Sequence, residues 1–178
     1  MKIQIETLSE GIHNYNFLVL PEEIFVEDGG ISAEQLTEEL RVYTQPIFVD
    51  VVLEKNPRQV HLHTKIFTQR EVECDRCMET FSTDIKGEYE MVYGFEQRST
   101  IDIEDAEFTF LDKDHSIIEL QDDIRQTMMI SLPMKNLCNE DCLGLCIHCG
   151  KNLNDGSCDC ATEVVDERWS KLLSLKTN

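Results

Sequence analysis

Apolar and polar positions along the chain follow two different periods, and the change from one to the other orders the elements. MKIQIETL alternates as a strand over the first eight residues and GIHNYNFLVL reads as a second. Glu27 to Gly30 forms a turn; Ser32 then suits an N-cap, with Gln35 at the capping-box position and Ile31 spaced to staple Leu36, so the pattern predicts a short helix to about Leu40. Gln45 to Leu53 is apolar and β-branched and reads as a strand. From Val60 the even positions Val60, Leu62 and Ile66 are apolar, and the odd ones hold His61, His63, Lys65, Glu71 and Glu73, with Phe67 the exception. Alternation resumes with Phe81, Ile85, Tyr89, Met91 and Tyr93 against Ser82, Asp84, Lys86, Glu88 and Glu90. The intervening CDRCMET is the connection of an antiparallel hairpin.

An acidic linker over Glu96 to Glu107 precedes a helical period. Ser116 and Glu119 form an SxxE capping box, and Ile117, Leu120, Ile124, Met128 and Leu132 keep helical spacing until Pro133. Val165, Trp169, Leu172 and Leu173 lie on one face of a final helix. The order predicts an α+β fold: an antiparallel β-sheet domain with a few helices over residues 1–135, and a C-terminal zinc-knuckle module with a closing helix over 136–178.

At 178 residues and 41% hydrophobic content the chain supports an ordinary core. No stretch suits a signal peptide or a membrane span, so the expected location is the cytoplasm, where clustered cysteines hold metal more often than disulfides. The formal charge is −19, which disfavours sequence-independent binding to phosphate backbones and favours basic partners. Residues Asp102 to Asp123 alone carry nine acids against Lys113. Such a run reads as a solvated face or loop.

Eight cysteines carry the chemistry. Cys74 and Cys77 form the CxxC of the hairpin tip, and Cys138, Cys142, Cys146, Cys149, Cys158 and Cys160 fall within CNEDCLGLCIHCGKNLNDGSCDC. Short spacings leave thiolates convergent, eight thiols match two four-sulfur sites, and zinc is the usual redox-inert ion for tetrahedral sulfur.

The hairpin CDRCMETF, the acidic linker, the segment LPMKNLC, the cysteine block and the closing DERWSKLLSLK together resemble the YceD-like family of large ribosomal RNA subunit accumulation proteins, over roughly residues 50–175. The resemblance implies a role in the synthesis, processing or stability of large-subunit ribosomal RNA and supplies no reaction. Implied partners are ribosomal RNA, a basic ribosomal protein or an assembly factor.

Cys146, Cys149, Cys158 and Cys160 can close a CxxC-x8-CxC site by themselves, with Gly150 allowing the tight turn; Cys138 and Cys142 would then join Cys74 and Cys77. Four cysteine pairs can make two sites in three ways, and spacing leaves the others open. His148 reads as a spectator among sufficient sulfurs. His61 and His63 read as exposed strand histidines without a third ligand, and His13 and His115 have no partner visible in the sequence. Arg76 reads as orienting the knuckle more than as contacting RNA. HExxH, GxGxxG, P-loop and GxSxG patterns are missing, so the expectation is a non-enzymatic zinc factor. Two other classes compete: a zinc chaperone switched by thiol oxidation, and a zinc-ribbon nucleic-acid reader, for which the sequence presents no basic or aromatic platform.

Overall fold

The computed structural model describes residues 1–25, 40–95, 107–111 and 117–160. The helix expected after Ser32, the body of the acidic linker and the terminal helix bearing Trp169 fall outside them. The chain divides into two compact units, Met1–Val72 with Thr80–Asn136, and Glu73–Glu79 with the chain from Leu137 onward.

The first unit contains β1 (Lys2–Gln4), β2 (Gly11–Val19), the short helix α1 (Pro21–Phe25), β3 (Ile47–Lys55), β4 (Gln59–Glu73), β5 (Thr80–Gly94), β6 (Glu107–Phe110), β7 (Ile117–Glu119) and helix α2 (Gln121–Ile130). Strands β2 to β6 form one sheet in sequence order, and β1 pairs with β7 in a second. β2, β3 and β4 run antiparallel, with Leu18 opposite Phe48 and Phe48 opposite Phe67. β6 departs from the antiparallel expectation. It lies parallel to β5, with Met91 opposite Glu107, and residues 95–106 provide the dozen or so that a parallel connection requires.

Burial follows the period-2 pattern. Ile47, Val49, Val51 and Leu53 are buried on β3, and Val60, Leu62 and Ile66 on β4, while Phe48, Asp50, Val52 and Glu54 face outward. Thr64 and Thr68 also occupy the inner face of β4; the Thr68 hydroxyl satisfies itself on the Gln45 carbonyl at 3.0 Å. Ile85, Met91 and Tyr93 of β5, Ile124 and Met128 of α2, and Ile3 and Ile118 of the two-stranded sheet complete one core. Each fully buried aliphatic side chain contributes about 1.5–3 kcal/mol. On the outer face His63 Nδ1 lies 3.0 Å from Glu90 and His61 Nε2 3.6 Å from it, so these histidines pair with carboxylates of β5. Phe48 and Phe67 meet there with ring centroids 6.2 Å apart, an aromatic pair that the strand pattern left unconnected.

The capping box expected at Ser116 and Glu119 is not how the helix starts. Ile117 to Glu119 is a strand whose partner, Lys2–Gln4, lies at the other end of the sequence, and the Lys2 ammonium meets Glu119 Oε1 at 2.6 Å. That ladder buries Ile118 instead of Ile117, and α2 begins at Gln121 with Leu120 at its N-cap and no side-chain cap. Asp122 and Asp123 in the first turn complement the helix dipole.

Helix α2 approaches β5 closely at Gly87. A Cβ there would lie 2.5 Å from Ser131 Oγ and 2.8 Å from Thr127 Cγ2, and the Ser131 hydroxyl is tied to the Thr127 carbonyl at 2.7 Å. Gly87→Val should therefore lower unfolding stability in denaturant titration by about 1–3 kcal/mol through overpacking. Val52→Thr on the exposed face should change it by no more than about 0.5 kcal/mol.

Candidate metal centre

Two CxxC segments of the second unit fold into the same turn. In the first, Cys74 N–H donates to the Glu79 carbonyl and Met78 N–H to the Cys74 carbonyl, both at 2.9 Å. In the second, Cys146 N–H donates to the Lys151 carbonyl at 2.8 Å and Gly150 N–H to the Cys146 carbonyl at 2.9 Å. Each turn needs a left-handed residue directly after its second cysteine. Gly150 fills it at φ +73°, and Met78 fills it at φ +62°. The sequence signals the glycine; nothing in the pattern of Met78 does.

The turns converge their thiols with those of the later chain. The sulfurs of Cys74, Cys77, Cys138 and Cys142 lie within 4.8 Å of one another, and those of Cys146, Cys149, Cys158 and Cys160 form a second such group. Cys74 and Cys142 are 3.8 Å apart, Cys77 and Cys138 3.6 Å, and Cys146 and Cys158 3.4 Å. A disulfide would bring two of them to about 2.05 Å. Around an ion with metal–sulfur bonds of about 2.3 Å, tetrahedral ligands sit about 3.8 Å apart, so both tetrads fit such an ion. Cys74, Cys77, Cys142 and Cys146 are buried, and Cys138 and Cys149 are exposed.

Electrostatics within each group are uneven. The Cys138 N–H donates to Cys74 Sγ at 3.4 Å and, with N–H groups of its own turn, holds that thiol down at about 6. Cys146 is likewise held at about 6, first by the Cys149 N–H and then by that of His148. Although Cys138 is exposed as a residue, its thiol loses water among the surrounding sulfurs and is pushed up to about 12, and Cys160 is pushed to about 12, chiefly by Cys149. Four thiols this close cannot all ionise without a cation among them. His148 serves through its backbone N–H, which reaches Cys146 Sγ at 3.4 Å, while its side chain is exposed.

A supporting layer surrounds the first tetrad. The Arg76 guanidinium donates to the carbonyls of Glu140 at 3.1 Å and Cys142 at 2.8 Å, so it orients the backbone instead of meeting a thiolate or an acid. The Arg76 carbonyl accepts Leu145 N–H at 3.0 Å, and a Cβ on Gly144 would come within 2.9 Å of that same oxygen. Asn154 Nδ2 donates to Cys142 Sγ at 3.3 Å, its Oδ1 accepts Leu143 N–H at 2.8 Å, and Asn152 Nδ2 donates to Glu79 Oε1 at 2.9 Å. The two asparagines of the GKNLN loop read in sequence only as turn formers. The paired Asn-x-Asn between two cysteine pairs was the available signal.

The shared turn makes a paired prediction. Gly150→Ala places a Cβ at positive φ with no neighbour to compensate and should cost about 1–2 kcal/mol, whereas Met78→Gly relieves the same strain and should be neutral or stabilising by up to about 1 kcal/mol after its own entropy cost. Denaturant titration of both variants checks the opposite signs.

Among the described residues no helix is long and apolar enough to cross a membrane. No solved structure matches the chain. A curated relative from Arabidopsis thaliana, large ribosomal RNA subunit accumulation protein YCED homolog 1, chloroplastic, is 24% identical over 169 residues, covering 80% of this chain and 53% of the relative. The chain thus spans about half the length of the curated relative it matches, and that relative's name places it in the chloroplast, so it gives no support to a specifically cytoplasmic location. The family model described as large ribosomal RNA subunit accumulation protein YceD matches residues 62–176, a range that includes every one of the eight cysteines. With that match over more than half its length, the chain belongs to the YceD family of large ribosomal RNA subunit accumulation proteins.

Proposed function

We propose that this chain is a non-enzymatic factor, stabilised by two zinc ions, that supports the accumulation of large-subunit ribosomal RNA through a basic protein partner or a few local RNA contacts. The observation that carries the proposal is the coincidence of the family match with the two sulfur tetrads. Zinc fits because all-sulfur tetrahedral sites select soft, borderline ions and zinc brings no redox chemistry. An ion ringed by four thiolates has no open position for water, which favours a structural role over catalysis. The charge of −19, made four units more negative by eight thiolates and two divalent ions, opposes a broad phosphate interface and suits a basic partner.

Protein purified without added metal should carry close to two zinc equivalents by elemental analysis; a folded chain with almost none would remove the metal from the proposal. Binding to generic RNA should be weak, with a shallow dependence on salt, since a complex neutralising many phosphates loses affinity steeply between 50 and 200 mM salt. Lowering the protein's level in its host should reduce large-subunit relative to small-subunit ribosomal RNA. Affinity purification with and without nuclease identifies the contact: partners that survive nuclease support a protein interface, and exclusively RNA-dependent recovery reverses that preference.

A further inference from the structure

The loop between Cys149 and Cys158 belongs in sequence to the second tetrad, yet two of its side chains end beside the first. Asn152 is the hub. Its Oδ1 accepts the backbone N–H of Asn154 at 3.0 Å and the Asn154 side-chain amide at 2.8 Å, while its Nδ2 reaches Glu79, just after the Cys74–Cys77 turn. It also caps the 3-10 turn Leu153–Asp155. Asn154 in turn spans both sides of Cys142, accepting the next residue's N–H and donating to the sulfur. Because Leu143 N–H can only donate, Asn154 must present its oxygen there, and its amide hydrogens are left for the thiol and Asn152.

We infer that Asn154, held by Asn152, is a positioning residue of the first metal centre supplied by the loop of the second, and that the two centres are therefore coupled. The inference rests on reading both tetrads as metal centres. The loop is anchored at its two ends by Cys149 and Cys158, ligands of the second centre alone. Without an ion there, residues 150–157 lose the two cysteine anchors at their ends and keep only backbone ties such as the Leu145–Asn152 bridge to hold both asparagines in register. The first centre then loses an N–H donor to one of its sulfurs and the acceptor that fixes Leu143 beside it. Removing a group that orients a ligand typically lowers metal affinity 10–100-fold. By reciprocity, an ion in the first centre strengthens the second by the same factor. Leu153 N–H to the Gly144 carbonyl at 2.8 Å adds a backbone tie between the same two segments.

The test is a double-mutant cycle on the full, zinc-loaded chain. Asn154→Asp keeps an acceptor for Leu143 N–H and removes the donor to sulfur; Cys149→Ser with Cys158→Ser disables the second centre. During a chelator challenge, alkylation of Cys74, Cys77, Cys138 and Cys142, located by peptide mass spectrometry, reports the first centre alone. Exposure of these four thiols should be 10–100-fold faster in either variant than in the unaltered chain, and no faster again when the two changes are combined. An unaltered exposure rate in the second-centre variant overturns the coupling, as does full additivity of the two changes. If Asn154→Asp does not load zinc at all, Asn152→Ser, which touches no sulfur, must reproduce the acceleration or the inference fails. Almost no zinc in the folded, unaltered chain would instead overturn the metal reading, and the coupling with it, whereas a single equivalent would leave one centre and overturn the coupling alone.

Discussion

Four sulfurs confined within 4.8 Å repel one another once ionised, and the geometry of the second unit is organised around relieving that repulsion twice. Backbone N–H groups aimed at Cys74 and Cys146 supply part of the compensation, and an asparagine amide supplies more at Cys142. What dipoles cannot supply is a full charge. A divalent ion would, turning mutual repulsion among thiolates into shared attraction to one centre. Free energies of about 10–16 kcal/mol for structural zinc are comparable with the whole stability of a domain, so a segment with little apolar burial of its own can be ordered in this way.

The two tetrads differ in how far they reach along the chain. Cys77 and Cys138 are 61 positions apart, whereas Cys146 and Cys158 are 12 apart. A loop about fivefold longer costs only about 1.4 kcal/mol more to close, small beside the energy of binding a metal. The sequence can thus interrupt its cysteine-rich unit with β5, β6, β7 and α2 at little thermodynamic cost. The hairpin of β4 and β5 makes the arrangement possible. Its strands belong to a core dictated by alternation, and its turn carries the first cysteine pair.

Alternation made β2, β3, β4 and β5 legible, because every second residue is the less exposed one along most of each strand, and Ile47, Val49, Val51 and Leu53 of β3 leave no ambiguity of face. Partner choice was not legible. Glu119 sits at an attractive capping-box position after Ser116, but Lys2–Gln4 competes for Ile117–Glu119 from the opposite end of the chain, and no local pattern announces it. The parallel alignment of β6 is equally a matter of topology. At the candidate centre, cysteine spacing suggested how the thiols divide, and Gly150 disclosed its turn. Met78 did not, because its strained φ is imposed by the turn's hydrogen bonds and not by an intrinsic preference. Asn152 and Asn154 escaped notice for a related reason: an asparagine in a loop satisfies its own backbone far more often than it reaches a distant sulfur.

The left-to-right order of these groups has a consequence during synthesis. A ribosome adding 5–20 residues per second completes the first set of four thiols at Cys142 and reaches Asn154 on the order of a second later. In that interval the nascent chain has a sulfur cage without its asparagine support, and the second cage lacks Cys158 and Cys160. If the tetrads bind metal as proposed, an ion captured then would meet the first site without its asparagine donor and could still exchange. On the proposed reading, the residues that would fix an ion in place, Asn154, Cys158 and Cys160, are the last of the set to be made, so the order of synthesis would leave both cages open until the end.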